Sequence, residues 1–593
     1  MSNNVGGRIS HPGGYRGYSE EVYDGYQKRS CYFEASDGVK LAIDIYRPTK
    51  KGVLHTEKLP VVWTCTQYQR AKVLPDGTTT GLDNNPWWAP DMTPILRHGY
   101  VIAALDTRGT GASFGTRGTM HNFREMWDLY EVNEWLAAQE WCCGKTGMFG
   151  LSFLARVQYM AAISHAPSLK CIFPEVGGMC QPQLTPNGVG NVCQFASVDE
   201  IQQMNNIDKP APPVDEDTDG SMLKAAIDEH RKNPSYVKDR LDVPFTDSIS
   251  PRWGTRIFME LPLEKGIIDM NNTGVAVCIW GGWNDFFAPD TLQWYSSLTT
   301  PKRLIMGNWA HGQQGMAAGE IDWMIEHLRW YDYWLKGIDN GIMDEPPVWL
   351  YNVGKNEWRT YGDREFPLSV ETSWKLYLSG KKADSIESVN DGYLSTHKTS
   401  VGSDRDLYTI DYSVTKTGLR CRWKPGEWMT AEKDYRELDK KSLTYTGRPL
   451  GEDLELTGSP VADLWVGADT ESVDFYIYLE DVAEDGTSIM ISDGVMRTAN
   501  RKPAIPVFNN MGLPYHTNYQ GDQLPLPEDG SPVELSFSMY PLSYTVPAGH
   551  RLRVTINNFD RDNWDTPQQD PAPVVRVYHS AKYCSHVVLP VVK

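Results

Sequence analysis

Three side chains able to do acyl chemistry each stand just past a short apolar run. Ser152 lies in Gly147-Met148-Phe149-Gly150-Leu151-Ser152-Phe153-Leu154-Ala155, Asp285 in Gly281-Gly282-Trp283-Asn284-Asp285, and His311 in Gly307-Asn308-Trp309-Ala310-His311. A serine hydroxyl attacks a carbonyl only when a base takes its proton. A neutral imidazole is such a base, and a carboxylate behind it orients the ring and stabilises the imidazolium that forms. Each residue also has a plainer reading. A serine after a buried strand is often a helix N-cap. Asp285 suits a turn or an N-cap ahead of Phe286, and His311 suits a loop histidine bonded to backbone. Asp290 is a rival acid lying farther beyond its strand.

The elements that must carry these residues are legible from apolar runs at 60–66, 100–105, 147–150, 169–174, 275–280 and 303–306. Short continuous runs of this kind fit strands buried on both faces of a parallel sheet. Helical patterns fall between them at 123–141, 152–164 and 321–336, the last closed by Gly337 as a C-cap. Strand–helix alternation predicts an α/β fold, and the carboxyl edge of such a sheet is where sites form. The strand–Ser152–helix setting is that of a nucleophile elbow, although Leu154 breaks the strict G-x-S-x-G spacing. The chain order Ser…Asp…His is that of an α/β-hydrolase triad.

The alternation lapses over 178–268, a Pro-rich and acidic stretch with one helical pattern at 221–232, which reads as a cap inserted between core strands. From about 370 the pattern becomes many short strands separated by Gly, Pro and Asp turns. An example is Val473, Phe475, Ile477 and Leu479 in alternation, and the whole predicts an all-β sandwich or jelly roll. The expected organisation is an N-terminal arm (1–30), an α/β core in two parts (31–177 and 269–369), a helical cap (178–268) and a C-terminal jelly roll (370–593).

The 593 residues carry 57 Lys plus Arg against 76 Asp plus Glu, a formal charge of −19. That balance and the lack of a basic run argue against a nucleic-acid partner. No apolar stretch is long enough for a transmembrane helix, and the polar, Gly-rich start lacks a signal-peptide core. The ten Cys form no C-x-x-C pair and the thirteen His show no H-E-x-x-H spacing. A cytoplasmic protein with reduced thiols, no metal and no cofactor is therefore expected. A homo-oligomer is left open.

At this point the chain resembles the cocaine esterase and X-Pro dipeptidyl-peptidase group of serine hydrolases, the CocE/NonD family. The resemblance runs through Ser36-Asp37-Gly38-Val39-Lys40-Leu41 with Asp44-Ile45-Tyr46-Arg47-Pro48 and through Asp106-Thr107-Arg108-Gly109-Thr110-Gly111-Ala112-Ser113-Phe114-Gly115. It continues in the three segments above, Pro547-Ala548-Gly549-His550-Arg551-Leu552 and Ser585-His586-Val587-Val588-Leu589-Pro590. It implies an α/β-hydrolase core, a helical cap and a jelly-roll domain. It also implies an oxyanion hole made by a Tyr hydroxyl after the first core strand and the backbone N–H after the nucleophile. Here these are Tyr68 and Phe153. The family motif G-x-S-Y-x-G is departed from at Phe153 and Ala155. Trp87, Trp88, Phe286 and Phe287 are candidate pocket residues and equally candidates for the core. The two Phe after Asp285, where the amino-ester hydrolase branch places acids, point to an uncharged or aromatic acyl group.

The expected function is a serine hydrolase cleaving a small-molecule ester or amide through an acyl-enzyme. An acyltransferase, lactonase or cyclase would use the same intermediate, and a non-catalytic binding protein would use the same scaffold.

Overall fold

The computed structural model describes residues 10, 14–85, 91–119, 122–179, 204–313, 321–398, 404–422, 424–561, 564 and 566–593. Its first half is built on one sheet of β1 (Gly25–Glu34), β2 (Lys40–Lys50), β3 (Val53–Leu54), β4 (Leu59–Thr66), β5 (Val101–Asp106), β6 (Cys142–Leu151), β7 (Leu169–Glu175), β8 (Ala276–Gly282), β9 (Lys302–Gly307), β10 (Val348–Asn352) and β11 (Glu357–Arg359). The order across the sheet is β1-β2-β5-β4-β6-β7-β8-β9-β10-β11, with β3 on β2. Strands β5 through β10 are parallel, while β1, β2 and β11 run antiparallel to their neighbours. β5 and β8 are buried along their whole length, as continuous apolar runs require.

Helices Phe123–Ala137, Phe153–Ile163, Ala288–Ser297 and Trp323–Tyr331 follow β5, β6, β8 and β9. The last continues as a wider turn, Asp332–Lys336, and stops at Gly337 with φ +72°. At this turn the Asp332 carboxylate receives Ser19 N–H, Ser19 Oγ and Tyr100 Oη at 2.6–2.8 Å. The N-terminal arm is thus docked on the core over its described residues. β1 starts at Gly25, within the expected arm, and pairs with β2 over ten residues. The alternation over Tyr32–Pro48 around the turn Ser36-Asp37-Gly38 reads as a strand pair, and the structure carries its first strand back to Gly25.

Part of the described cap lies against the Asp106–Gly115 loop, and another part meets the β-domain through Thr246 N–H to Asn518 O at 3.2 Å. Ala211 and Val214 pack with Ala42 and Ala112, and helix Ser221–His230 directs His230 Nε2 to Ser113 O at 2.7 Å. Leu263, Ile267 and Met270 belong to the main core cluster.

Among the described residues, thirteen strands between Glu371 and Val592 form a second domain built mainly of β-structure. One face of strand Asp474–Val482 supplies Phe475, Ile477 and Leu479 to that domain's own core, with Val554, Ile556 and Leu464. Its opposite face puts Tyr476 and Tyr478 into a separate cluster with Phe286 and Phe287 of the α/β half. No helix among the described residues is long and apolar enough to cross a membrane.

Candidate active site

The sheet order sets out the candidate groups along one edge. Adjacent strands β4, β6, β7, β8 and β9 end, in that order, beside Tyr68, Ser152, Glu175, Asp285 and His311. Strand β4 lies between β5 and β6, so it is where the winding of the sheet reverses, the position at which open α/β sheets place ligands.

Ser152 sits at φ +59°, ψ −116°, a backbone conformation that costs a non-glycine residue roughly 1–3 kcal/mol. Its side chain makes no capping bond to the helix it precedes, which removes the N-cap reading. The turn is built from close contacts. Gly150 has φ +133°, and a Cβ there would fall 2.6 Å from Leu154 Cβ. Gln158, buried in the helix, donates to Gly150 O at 3.0 Å and accepts from Phe173 N–H at 2.9 Å. Ser152 N–H donates to Glu175 O at 2.9 Å. The Glu175 carboxylate receives Trp323 Nε1 at 2.8 Å and has His327 Nε2 at 3.4 Å, so the nucleophile strand is tied to the chain beyond His311. Ala155, the methyl that departs from the family motif, is accommodated by Gly177. A Cβ on Gly177 would lie 2.8 Å from that of Ala155.

His311 Nδ1 is 2.8 Å from Asp285 Oδ2. Asp285 is fully buried, and its Oδ1 accepts Phe287 N–H at 2.7 Å. Asp290 instead accepts Met179 N–H at 2.5 Å from the first turn of its helix. The rival acids are thereby separated by geometry, and Asp285 is the one on the imidazole. Its loop is bonded to the histidine segment through Trp283 N–H to Gly307 O (2.9 Å) and Asn284 N–H to Trp309 O (3.2 Å). The Trp309 ring fills the space over Gly307, where a Cβ would come within 1.9 Å of it. Phe286 stacks on His311 with centroids 4.3 Å apart. Phe286 and Phe287 are both buried in the cluster shared with the β-domain. Both rings also lie against the His311 imidazole, that of Phe287 edge-on at 5.7 Å. Trp87 and Trp88 lie outside the described residues.

Tyr68 follows β4. Its N–H donates to Thr66 Oγ1 at 2.9 Å, and its ring meets that of Phe153 edge-on at 6.3 Å. Burial pushes its phenol above the ordinary value, which keeps the hydroxyl a donor. The next residues explain the Asp106 signature. Arg70, fully buried, donates to Asp106 through N–H (2.5 Å) and Nη1 (2.7 Å), to Asp44 through Nε (2.9 Å) and to Pro212 O of the cap through Nη2 (2.9 Å). Gly111 must lack a side chain because its Cβ would fall 2.2 Å from the Asp106 carboxylate. Arg70 and Lys28 hold the Asp44 carboxyl below its usual range against the pull of burial, whereas burial lifts Asp106. The signature loop thus anchors the segment that presents Tyr68. Arg70 stood two residues from Tyr68 in sequence, but nothing local showed that Asp106 would be its partner.

The fold and this edge define an α/β-hydrolase. Residues 37–313 match the model of the X-Pro dipeptidyl-peptidase (S15) family, and 340–587 match the X-Pro dipeptidyl-peptidase C-terminal non-catalytic domain. A candidate serine esterase of Mycobacterium bovis is 28% identical over 630 residues, covering 96% of both chains. The cocaine esterase of a Rhodococcus species is 25% identical, covering 94% of this chain and 97% of its own. Among solved structures, a CocE/NonD family hydrolase from Staphylococcus aureus aligns with a TM-score of 0.70 at 18% identity, over 98% of this chain and all of its own. An α-amino acid ester hydrolase aligns with a TM-score of 0.70 at 20% identity, over all of this chain and 99% of its own. The chain belongs to the CocE/NonD, X-Pro dipeptidyl-peptidase-like family, and it is a serine hydrolase.

Proposed function

We propose that the protein cleaves a small-molecule ester or amide through an acyl-enzyme on Ser152, with His311 as base and Asp285 as the acid that orients it. The observation that carries this reading is the backbone of Ser152, held at φ +59° without a capping role. Strain of this kind is kept where it exposes a hydroxyl for reaction. The 2.8 Å contact between Asp285 and His311 Nδ1 supports the partner roles, because it leaves Nε2 as the basic nitrogen.

In the proposed reaction Ser152 Oγ attacks the carbonyl carbon and its proton passes to His311 Nε2. The oxyanion accepts hydrogen bonds from Tyr68 Oη and from Phe153 N–H at the start of helix Phe153–Ile163. Collapse breaks the bond to the alcohol or amine, which leaves with the proton from His311. Water, deprotonated by the same imidazole, then releases the acid. The names of the relatives support ester and X-Pro amide cleavage as the chemical range to test.

The test is intact mass after treatment with a fluorophosphonate, followed by peptide mapping and a chromogenic ester assay. One adduct on Ser152 is expected, absent in Ser152→Ala, with ester turnover reduced ~10^6-fold in that variant. Full activity in folded Ser152→Ala overturns the assignment.

A further inference from the structure

The loop that carries Asp285 is gripped from the other domain. Arg422 Nη1 donates to Trp283 O, and Tyr540 Oη donates to Phe286 O at 3.2 Å. These carbonyls lie two residues before Asp285 and one after it. Both donors come from the β-domain, whose matching family model carries the description non-catalytic.

The grip is itself held rigidly. The Arg422 guanidinium lies over the Tyr540 ring, 4.6 Å from its centroid. Arg422 Nε donates to Asp493 Oδ1 at 2.6 Å, and Tyr540 N–H donates to Asp493 O at 2.7 Å. Lys416 lies 3.8 Å from Asp493 and 3.5 Å from Asp560. Arg422, Lys416, Asp493 and Asp560 are all buried. Burying two cations and two anions costs several kcal/mol per ion before pairing offsets it, and apolar packing would be as stable. The arrangement is better explained by what it presents, two donors fixed in space. Burial, with Asp493 adding to it, raises the Tyr540 phenol well above its ordinary value, so its hydroxyl remains a donor.

We propose that Arg422 and Tyr540 are positioning residues for the catalytic acid. They fix residues 283–287 so that Asp285 Oδ2 meets His311 Nδ1 while Oδ1 is held by Phe287 N–H. The inference rests on the reading of Asp285 as the triad acid. Its consequence is that the β-domain completes the active site without touching substrate. The Phe286 and Phe287 rings lie against His311, and the charged groups around Tyr540 are Asp493, Arg422, Asp290 and Asp285. Loosening the grip weakens the Asp285–His311 bond, which destabilises the imidazolium and moves the acid limb of the pH profile to lower pH.

The test uses Tyr540→Phe, Arg422→Met and Arg422→Lys in the full chain. Three quantities are read: kcat and KM on a chromogenic ester, the rate of fluorophosphonate labelling of Ser152 from pH ~5 to ~9, and Tm. Tyr540→Phe and Arg422→Met each lower kcat and the labelling rate roughly tenfold, with KM changed less than about twofold. Both shift the acid limb to lower pH, and Arg422→Lys restores part of the rate. If the parent is labelled at Ser152 but folded Tyr540→Phe keeps its rate and its pH limb, the inference is overturned. A lowered Tm with unchanged rates overturns it as well. If Arg422→Met fails to fold, Tyr540→Phe, which removes one oxygen, still decides. Failure of the parent to label at Ser152 overturns the triad reading instead.

Discussion

At the carboxyl edge of the core sheet, the proposed catalytic groups arrive one per strand: Tyr68 after β4, Ser152 after β6, Asp285 after β8, His311 after β9. On the β-domain face that meets Phe286 and Phe287, buried polar side chains arrive several to a strand. Strand Asp474–Val482 alone buries Asp474, Tyr476, Tyr478 and Glu480 on the side away from its own sandwich core. The two regions solve different problems. A loop at a strand end can take any conformation, including the positive φ of Ser152, so each group is aimed separately. A strand face repeats every second residue and cannot be aimed, but it makes a stiff wall. Here the wall packs Tyr476 and Tyr478 against Phe286 and Phe287, on either side of which lie Asp285 and the helix Ala288–Ser297.

The sharpest way to break this comparison is to exchange acids at the edge. Asp285→Asn lowers kcat ~10^4-fold, because the amide holds the wrong imidazole tautomer, whereas Asp290→Asn costs less than about tenfold. Equal losses in the ester assay would mean that nearness in sequence, not position at the strand end, selects the acid. Next comes the far side of the serine. Tyr68→Phe removes one oxyanion donor and lowers kcat about 10^2–10^3-fold, or about 3–4 kcal/mol, with little change in Tm. A change confined to KM would place Tyr68 in binding and leave the edge with fewer catalytic groups.

The closeness behind the elbow is tested by stability. Gly177→Ala overpacks against Ala155 and lowers stability by about 1–3 kcal/mol in urea unfolding. Pairing it with Ala155→Gly recovers most of that loss, and additive losses would show that the two do not meet. An effect confined to one end of the pH range lies in the β-domain. Burial raises Glu371 from 4.5 to about 7, above its unfolded value. The folded state therefore binds the extra proton, and the contribution of Glu371 is fully present below pH ~4.5 and lost as pH rises through about 7. Glu371→Gln flattens this dependence and stabilises the protein at pH ~8 by about 2 kcal/mol. A parallel pH–Tm curve for the variant would show the carboxyl to be well solvated.

Much of the site was legible because it lies where strands end. A run of buried apolar residues stops abruptly, and the next polar residue faces the edge. That pattern marked Ser152, Asp285 and His311. It did not mark the role of Asp106, whose partner Arg70 stands 36 residues earlier. Phe286 and Phe287 were ambiguous for a related reason. An apolar side chain after a catalytic residue looks the same in sequence whether it lines a pocket or packs a domain boundary.

Local sequence determined the strands and helices of the core, the sharp turn at Ser152 through Gly150, and the order in which the catalytic types appear. These follow from hydrophobic periodicity and from backbone sterics, which act over a few residues. Tertiary structure alone decided that Arg70 meets Asp106, that Gly177 makes room for Ala155, and that Arg422 and Tyr540 reach across from the β-domain. Hydrogen bonds and close packing act within a few ångströms in space, and these partners stand 22 to 254 residues apart in the chain.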